Sequence, residues 1–485
     1  MNMLNKIILA GLTTVSLVCV SWAGAANEQI PQRVAVVPFN LESADPNDVY
    51  LTHALPWALS SALSLCPDLA VEARRNIREA MENLEVINST SVFEAARVGV
   101  YLGDVWVLVG NIKRGRFGLQ IKVDLVDAQS GKKIIERSLP LVRNSQLLKT
   151  VKFMCREMAG KLSGSPVSSD LLTSFPSSEE AFRYYALGQE ELSYGQLNHL
   201  TQAEKYFRAA LAIYPQFGLA YAGLANTFLF RGTLSRDVGL DYSGFMDRAL
   251  EYSEVSLKLS ADSPECLSVS AHALMQSGKP KDKEFAKELI ARAIRIKPNE
   301  YFYYYIQWRL QGSSIEDPLM DKILRLNPKF AALYFERGMA FLSKNQTDVA
   351  LKSMLKAIAL DPGNALYHVY LGVVYLKKIA PDDALRCFVR AAQLDSNLPA
   401  AFLNMGIVYM QQDKLTDAET TIKKAIQLNS NYAPAHFNLG LVYGRMNKPE
   451  NAIDEFKFCV NIDSGNSMAH VLLAQEYLKI KERRP

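Results

Sequence analysis

The chain has 485 residues, 49% of them hydrophobic and 21% charged, with a formal net charge of +4. That length is enough for large apolar cores and more than one domain. So small a charge, with no long Lys/Arg run, excludes the electrostatic footprint of a nucleic-acid binder.

Residues 1–25 read as an export signal. Lys6 is its only charge, Ile7 to Val20 is a short apolar run, and Ala23-Gly24-Ala25 is a small-residue cleavage site. The alternative is an uncleaved anchor, but a span needs ~20 apolar residues. Lipid attachment at Cys19 would require a small residue just before it, which Ser16-Leu17-Val18 does not supply. The expectation is a periplasmic protein with no integral membrane span after cleavage.

Export leads to an oxidising compartment, so the cysteines matter. Five follow the signal: Cys66, Cys155, Cys266, Cys387 and Cys459. An odd number leaves at least one unpaired within the chain. Cys66 and Cys155, each near a helix end in the first domain, form the candidate disulfide. Such a bond would add ~3–5 kcal/mol, yet the two ends need not meet. Cys387 and Cys459 are expected to be small buried hydrophobes. No CxxC or paired Cys/His spacing offers a zinc site.

Residues 33–163 have a mixed α/β pattern. The expected strands are Val34–Phe39, Leu69–Glu72, Val105–Val109, Leu119–Val126 and Lys133–Leu139. The fourth alternates, with Leu119, Ile121, Val123 and Leu125 on one face. Helices are expected over Tyr50–Leu65, Val92–Leu102 and Ser145–Leu162. The segments Val34-Ala-Val-Val-Pro-Phe39, Val105-Trp-Val-Leu-Val-Gly-Asn-Ile112 and Val123-Asp-Leu-Val-Asp-Ala-Gln-Ser-Gly131 together resemble the N-terminal α/β domain of the TolB family. That family's β-propeller is absent, so its Tol–Pal role is not carried over. The resemblance implies a non-catalytic docking domain.

Residues 164–178 are rich in Ser, Pro and Gly and read as a linker between separately folded pieces. Ser177 with Glu180 has capping-box spacing, which would begin the next helix.

Beyond it the chain repeats. Gly338, Gly372, Gly406 and Gly440 are thirty-four residues apart, and Ala350, Ala384, Ala418 and Ala452 keep the same step. Phe341, Tyr375, Tyr409, Tyr443 and Tyr477 mark a third phase, and Ala357, Ala391, Ala425 and Cys459 a fourth. A fixed period of this length signals a solenoid whose units stack to bury their apolar faces. The pattern resembles the tetratricopeptide repeat, a pair of short helices. About eight such repeats fit residues 179–466, with an insertion around 232–243 and a degenerate unit at 300–329. Residues 467–485 would form a closing cap helix. The aromatic run Tyr301–Trp308 could be an anchor surface, but filling the shortened repeat is the preferred reading. The fold expected is α+β, with a small N-terminal α/β domain before an all-α tetratricopeptide-repeat superhelix.

No GxxxxGK, HExxH or GxSxG motif is present. His368, His436 and His470 share one repeat phase. Helix pairs ~10 Å apart cannot place two imidazoles on one metal, whose bonds are ~2 Å. Tyr334 and Phe402 hold the same phase, so packing is expected there. No catalytic constellation, metal site or cofactor is read from the chain.

The resemblance implies a concave groove lined by the first helix of each repeat. Its positions here include Phe335, Met339, Leu342, Val369, Val373, Leu376, Leu403, Ile407, Met410, Phe437 and Leu441, all uncharged. The lysine of a carboxylate clamp is replaced by Phe335, Val369, Leu403 and Phe437. The expected role is a scaffold for other envelope proteins, gripping an apolar helical or extended segment. A homo-oligomer filling its own groove and an activator subunit of a cell-wall enzyme are the alternatives. Superhelix curvature or the α/β domain could also cover these residues.

Overall fold

The computed structural model describes residues 31–483 apart from 44, 87–90, 104, 140–146, 164–175 and 238–240. The export signal and most of the linker therefore lie outside the described residues.

The first apolar run ends early as a strand, because Pro38 has no amide hydrogen to extend a ladder. Strand β1 (Gln32–Val36) lies in parallel between β3 (Leu69–Val71) and β4 (Trp106–Gly115). After Pro38 the chain resumes as β2 (Asn40–Glu42), a strand not foreseen, parallel to the far half of β4. β4 and β5 (Gly118–Asp127) form a long hairpin, and β6 (Lys133–Ser138) adds an antiparallel edge. The main sheet order is β3-β1-β4-β5-β6.

Both faces are covered, as parallel strands require. Helices α1 (Leu51–Leu63) and α4 (Leu147–Ser163) pack Leu55, Leu59, Met154 and Met158 against Leu108 and Leu125. Helices α2 (Arg74–Asn83) and α3 (Val92–Tyr101) pack Ile77, Met81 and Val98 against Val107 and Val126 on the opposite face. Helix α2 was not anticipated.

Cys66 and Cys155 share the first of these cores, but as thiols and not as the suggested disulfide. The Cys66 sulfur points at the carbonyl of Ala159, 3.8 Å away and one turn beyond Cys155. Burial pushes the Cys155 thiol up to about 12.

Among the described residues eight antiparallel helix pairs follow. They are α5 (Glu179–Leu192) with α6 (Leu197–Ile213), α7 (Gly218–Asp237) with α8 (Ser243–Leu259), α9 (Pro264–Gln276) with α10 (Pro280–Ile296), and α11 (Tyr301–Leu310) with α12 (Pro318–Leu326). Next come α13 (Ala331–Ser343) with α14 (Thr347–Leu360), α15 (Ala365–Lys377) with α16 (Pro381–Leu394), α17 (Pro399–Gln411) with α18 (Leu415–Leu428), and α19 (Ala433–Arg445) with α20 (Pro449–Ile462). Helix α21 (Ser467–Arg483) packs on α20. The cap of α5 is Ser178, whose hydroxyl accepts from the Ala181 amide at 3.2 Å, one residue later than the spacing suggested.

The repeat glycines mark close approach. A Cβ on Gly372 would lie 2.4 Å from the Phe388 ring, and one on Gly440 2.6 Å from Phe456. Each is a first-helix position pressed by the large residue of its own second helix. Four of the turns joining the two helices place Asn345, Ile379, Asp413 and Asn447 at φ 58, 59, 62 and 61°. Asn and Asp tolerate that left-handed geometry, whereas a β-branched isoleucine does not.

The α/β domain is fastened along one edge of the superhelix. Successive loops between repeats reach it. Glu265 accepts from Ser61 at 3.1 Å, and Asn299 donates to the carbonyls of Pro67 and Leu69. Asn327 accepts from Asn76 at 3.1 Å, Lys329 donates to the Tyr101 carbonyl, and Asp361 pairs with Arg75 at 2.5 Å. At the first repeat the contact becomes a shared core. Phe182 and Ala186 of α5 belong to the same apolar cluster as α1 and α4, and Trp57 meets Tyr185 edge-on at 4.9 Å. The two parts are joined by far more than the linker.

Candidate protein-binding groove

The eleven groove positions lie on α13, α15, α17 and α19, the first helices of the last four repeats. The structure divides them. Leu342, Val369 and Leu403 are 7, 3 and 5% exposed and belong to the cores between helices. Phe335, Met339, Val373, Leu376, Ile407, Met410, Phe437 and Leu441 are half-buried and form the wall. They rest on one another and on the layer beneath. The Phe335 ring stacks on Tyr367 at 4.9 Å and meets Tyr370 edge-on at 5.3 Å. Phe437 tilts against Phe456 at 6.0 Å.

The polar side chains beside this wall are turned back on their own helices. Asn404 donates to the Ala400 carbonyl and Asn438 to that of Pro434, each at 2.8 Å. Each amide spends one of its two N–H donors in this way. The α/β domain makes the contacts described above with the loops and α5, and those contacts do not fall on the eight wall residues.

The shared histidine phase has a local task in addition to packing. Nε2 of His368, His436 and His470 lies 3.4, 3.0 and 3.2 Å from the carbonyl six residues earlier. Tyr304 and Tyr334 donate their hydroxyls to the equivalent carbonyls of Pro298 and Pro328. Except at Phe402, the phase therefore holds a ring donor that closes the loop between repeats. His436 also meets Glu455 at 2.7 Å, and this hydrogen bond, working against burial, raises its pKa. Among the described residues no group of three or more His, Cys, Asp or Glu could hold a metal ion. No described helix is long and apolar enough to cross a membrane.

Sequence reasoning missed an aromatic and charged cluster that joins α9, α11 and α13. Arg309 pairs with Glu336 at 2.5 Å, Tyr305 packs on Phe302 at 5.8 Å, and His272 meets Phe302 edge-on. Burial and the charges of Arg309 and Arg236 hold the His272 imidazole down at about 4. The shortened unit shifts the phase, so these positions could not be read by counting thirty-four. The aromatic run itself is mainly interior. Tyr304 and Trp308 pack with Met320, Ile323 and Ala70 of β3.

Family models described as tetratricopeptide repeat match residues 184–217, 318–365, 335–399 and 433–466, and one described as TPR repeat matches 408–447. These stretches are tetratricopeptide repeats. All of them lie within the helix pairs, and the α/β domain's likeness to TolB rests on the residues quoted for it. Among solved structures the chain is similar to MamA, at 27% identity over 30% of this chain and 84% of that one, with a TM-score of 0.27. It is also similar to YrrB, entitled a TPR protein with an unusual peptide-binding site, at 23% identity over 38% and 96%, with a TM-score of 0.30. A third is the first TPR of Spaghetti (RPAP3) bound to an HSP90 peptide, at 23% identity over 24% and 96%, with a TM-score of 0.24. No curated protein matches the chain.

Proposed function

We propose that this chain is an exported, non-catalytic protein-binding scaffold of the bacterial envelope, and that the wall on α13, α15, α17 and α19 holds an apolar helical or extended segment of a partner. The observation that carries this reading is the wall itself. Eight uncharged and mostly large side chains stand partly exposed on four successive first helices. A monomer rarely shows a contiguous apolar patch beyond a few hundred Å² unless something binds there. The α/β domain, TolB-like in sequence, is an inbuilt docking unit braced along the loops as far as Asp361. It stiffens the superhelix next to the wall.

Two experiments address this reading. A photo-crosslinking residue at Ile407 should trap one partner segment in cells, whereas the same residue at Val389 on α16 should not. Equal trapping at both positions, or none at Ile407, contradicts the groove. Terminal sequencing of the exported protein should begin at Ala26. A lipid-modified terminus at Cys19 would replace that part of the reading.

A further inference from the structure

A cavity of about 430 Å³ lies where the α/β domain meets the first repeat, away from the groove. Its position follows from topology. The chain leaves β1 through α1 to β3 on one side, then returns through α2 and α3 to β4 on the other. Helix α1 covers one face of the sheet, and α2 and α3 cover the opposite face. The carboxyl end of β1 is thus a switch point, the place where open α/β sheets form ligand crevices. Val36 and Pro38 at that strand end line the cavity, and Glu190 of α5 closes it with Tyr194 in the turn that follows. A volume in this range at a domain interface suits a small molecule.

The walls have two characters. Val36, Ile77, Met81 and Val86 make one side apolar. The other carries two guanidiniums and one carboxylate. Arg74 takes the short contact to Glu190, 2.7 Å, and donates to the His53 carbonyl at 2.9 Å. Arg78 reaches Glu190 only at 3.4 Å and otherwise donates to Ser193, its guanidinium 3.5 Å above the Tyr194 ring. Both arginines are about one-fifth exposed, so their charge is poorly hydrated and is shared by a single counter-ion. Glu82 and Glu85 stand exposed at the rim. Glu85 is held at φ 55° in the left-handed region, a conformation that has to be maintained by its surroundings.

We propose that this cavity binds a small amphiphilic anion, its oxyanion head on Arg78 and its apolar body along Val36, Ile77, Met81 and Val86. The head supplies the second negative charge that the arginine pair lacks, through charge-assisted hydrogen bonds to a planar donor fork. This site is independent of the groove and does not require the partner reading to hold.

Calorimetric titration of the full chain with octanoate, octyl phosphate and octan-1-ol tests it. One saturable site is expected for at least one of the two anions, with octanol at least tenfold weaker. Preference between the anions distinguishes a free carboxylate from a phosphate head. Arg78→Gln should bring anion affinity down to that of octanol. Glu82→Gln, on the exposed rim, should tighten anion binding about twofold at low salt and lose that gain at high salt. Equal affinity for octanol and both anions, or no saturable binding by any of the three, overturns the proposal. So does unchanged anion affinity in Glu82→Gln at low salt or in folded Arg78→Gln.

Discussion

Replacing Glu190 by glutamine should loosen the join between the α/β domain and the first repeat. Its carboxylate is 16% exposed and faces Arg74 at 2.7 Å, His53 at 3.3 Å and Arg78 at 3.4 Å. Burial alone would push this carboxyl up. The hydrogen bond from His53 and the charges of Arg74, His53 and Arg78 overcome that and hold it at about 2, against an ordinary 4.5. A fall of that size corresponds to about 3 kcal/mol at neutral pH. A second route gives a similar figure, since removing one partner of a buried ion pair costs about 3–5 kcal/mol. The folded-state value is depressed, so this stabilisation is complete above about pH 4.5 and is lost as pH falls through about 2. Urea unfolding at pH 7 should place Glu190→Gln about 3 kcal/mol below the wild type, with the gap closing towards pH 2. After a protease cut within 164–175, the wild-type fragments should stay together on gel filtration and the variant's should separate sooner. A difference under about 0.5 kcal/mol at pH 7, or one that persists at pH 2, refutes the reasoning.

Three further outcomes are expected. Ile379 is 89% exposed at φ 59°, where its sister turns hold Asn345, Asp413 and Asn447, so Ile379→Asn should stabilise the protein by about 1 kcal/mol. An unchanged or lower Tm would contradict the strain. His272 is held at about 4 in the folded chain against an ordinary 6.5, so the unfolded state gains protons first and stability should fall as pH drops from 6.5 to 4. His272→Phe should flatten that part of the pH profile, and an identical slope would count against it. Cys66 and Cys155 should resist alkylation in the native protein and both react after unfolding without reductant, whereas a disulfide would leave both unmodified.

The repeats were legible because their rule is steric. Wherever Phe388 or Phe456 presses on the first helix, only a glycine fits at Gly372 or Gly440, and the spacing of those glycines is visible in the letters alone. The hairpin strands were legible for a similar reason, since Leu119, Ile121, Val123 and Leu125 alternate along a half-buried surface. Helix α2 was not. Arg74, Arg75, Arg78, Glu79 and Glu82 make most of its length read as solvated, and only Ile77, Ala80 and Met81 carry the narrow apolar stripe. The fastening of the α/β domain to the loops was equally hidden, because it depends on Asn76, Asn299, Asn327 and Asp361, polar residues that look solvated until the chain is folded. Within the groove, helical phase identified the right helices but not the depth of each side chain. Leu342, Val369 and Leu403 turn inward to the cores, whereas Val373 and Ile407, four residues beyond Val369 and Leu403, remain at the wall.

That distinction selects the measurement bearing most directly on the scaffold reading. Glutamate at Leu403 would bury a carboxylate and unfold the repeat whatever the groove does. Val373→Glu with Ile407→Glu instead places two charges on the half-buried wall of successive first helices. The quantity to measure is the affinity of the segment trapped at Ile407 for the wild type and for this double variant, with melting followed on the same samples. The account expects melting to shift by no more than a few degrees and affinity to fall at least about a hundredfold, since two desolvated charges cost several kcal/mol in an apolar contact. Unchanged affinity in a variant that melts like the wild type would contradict it.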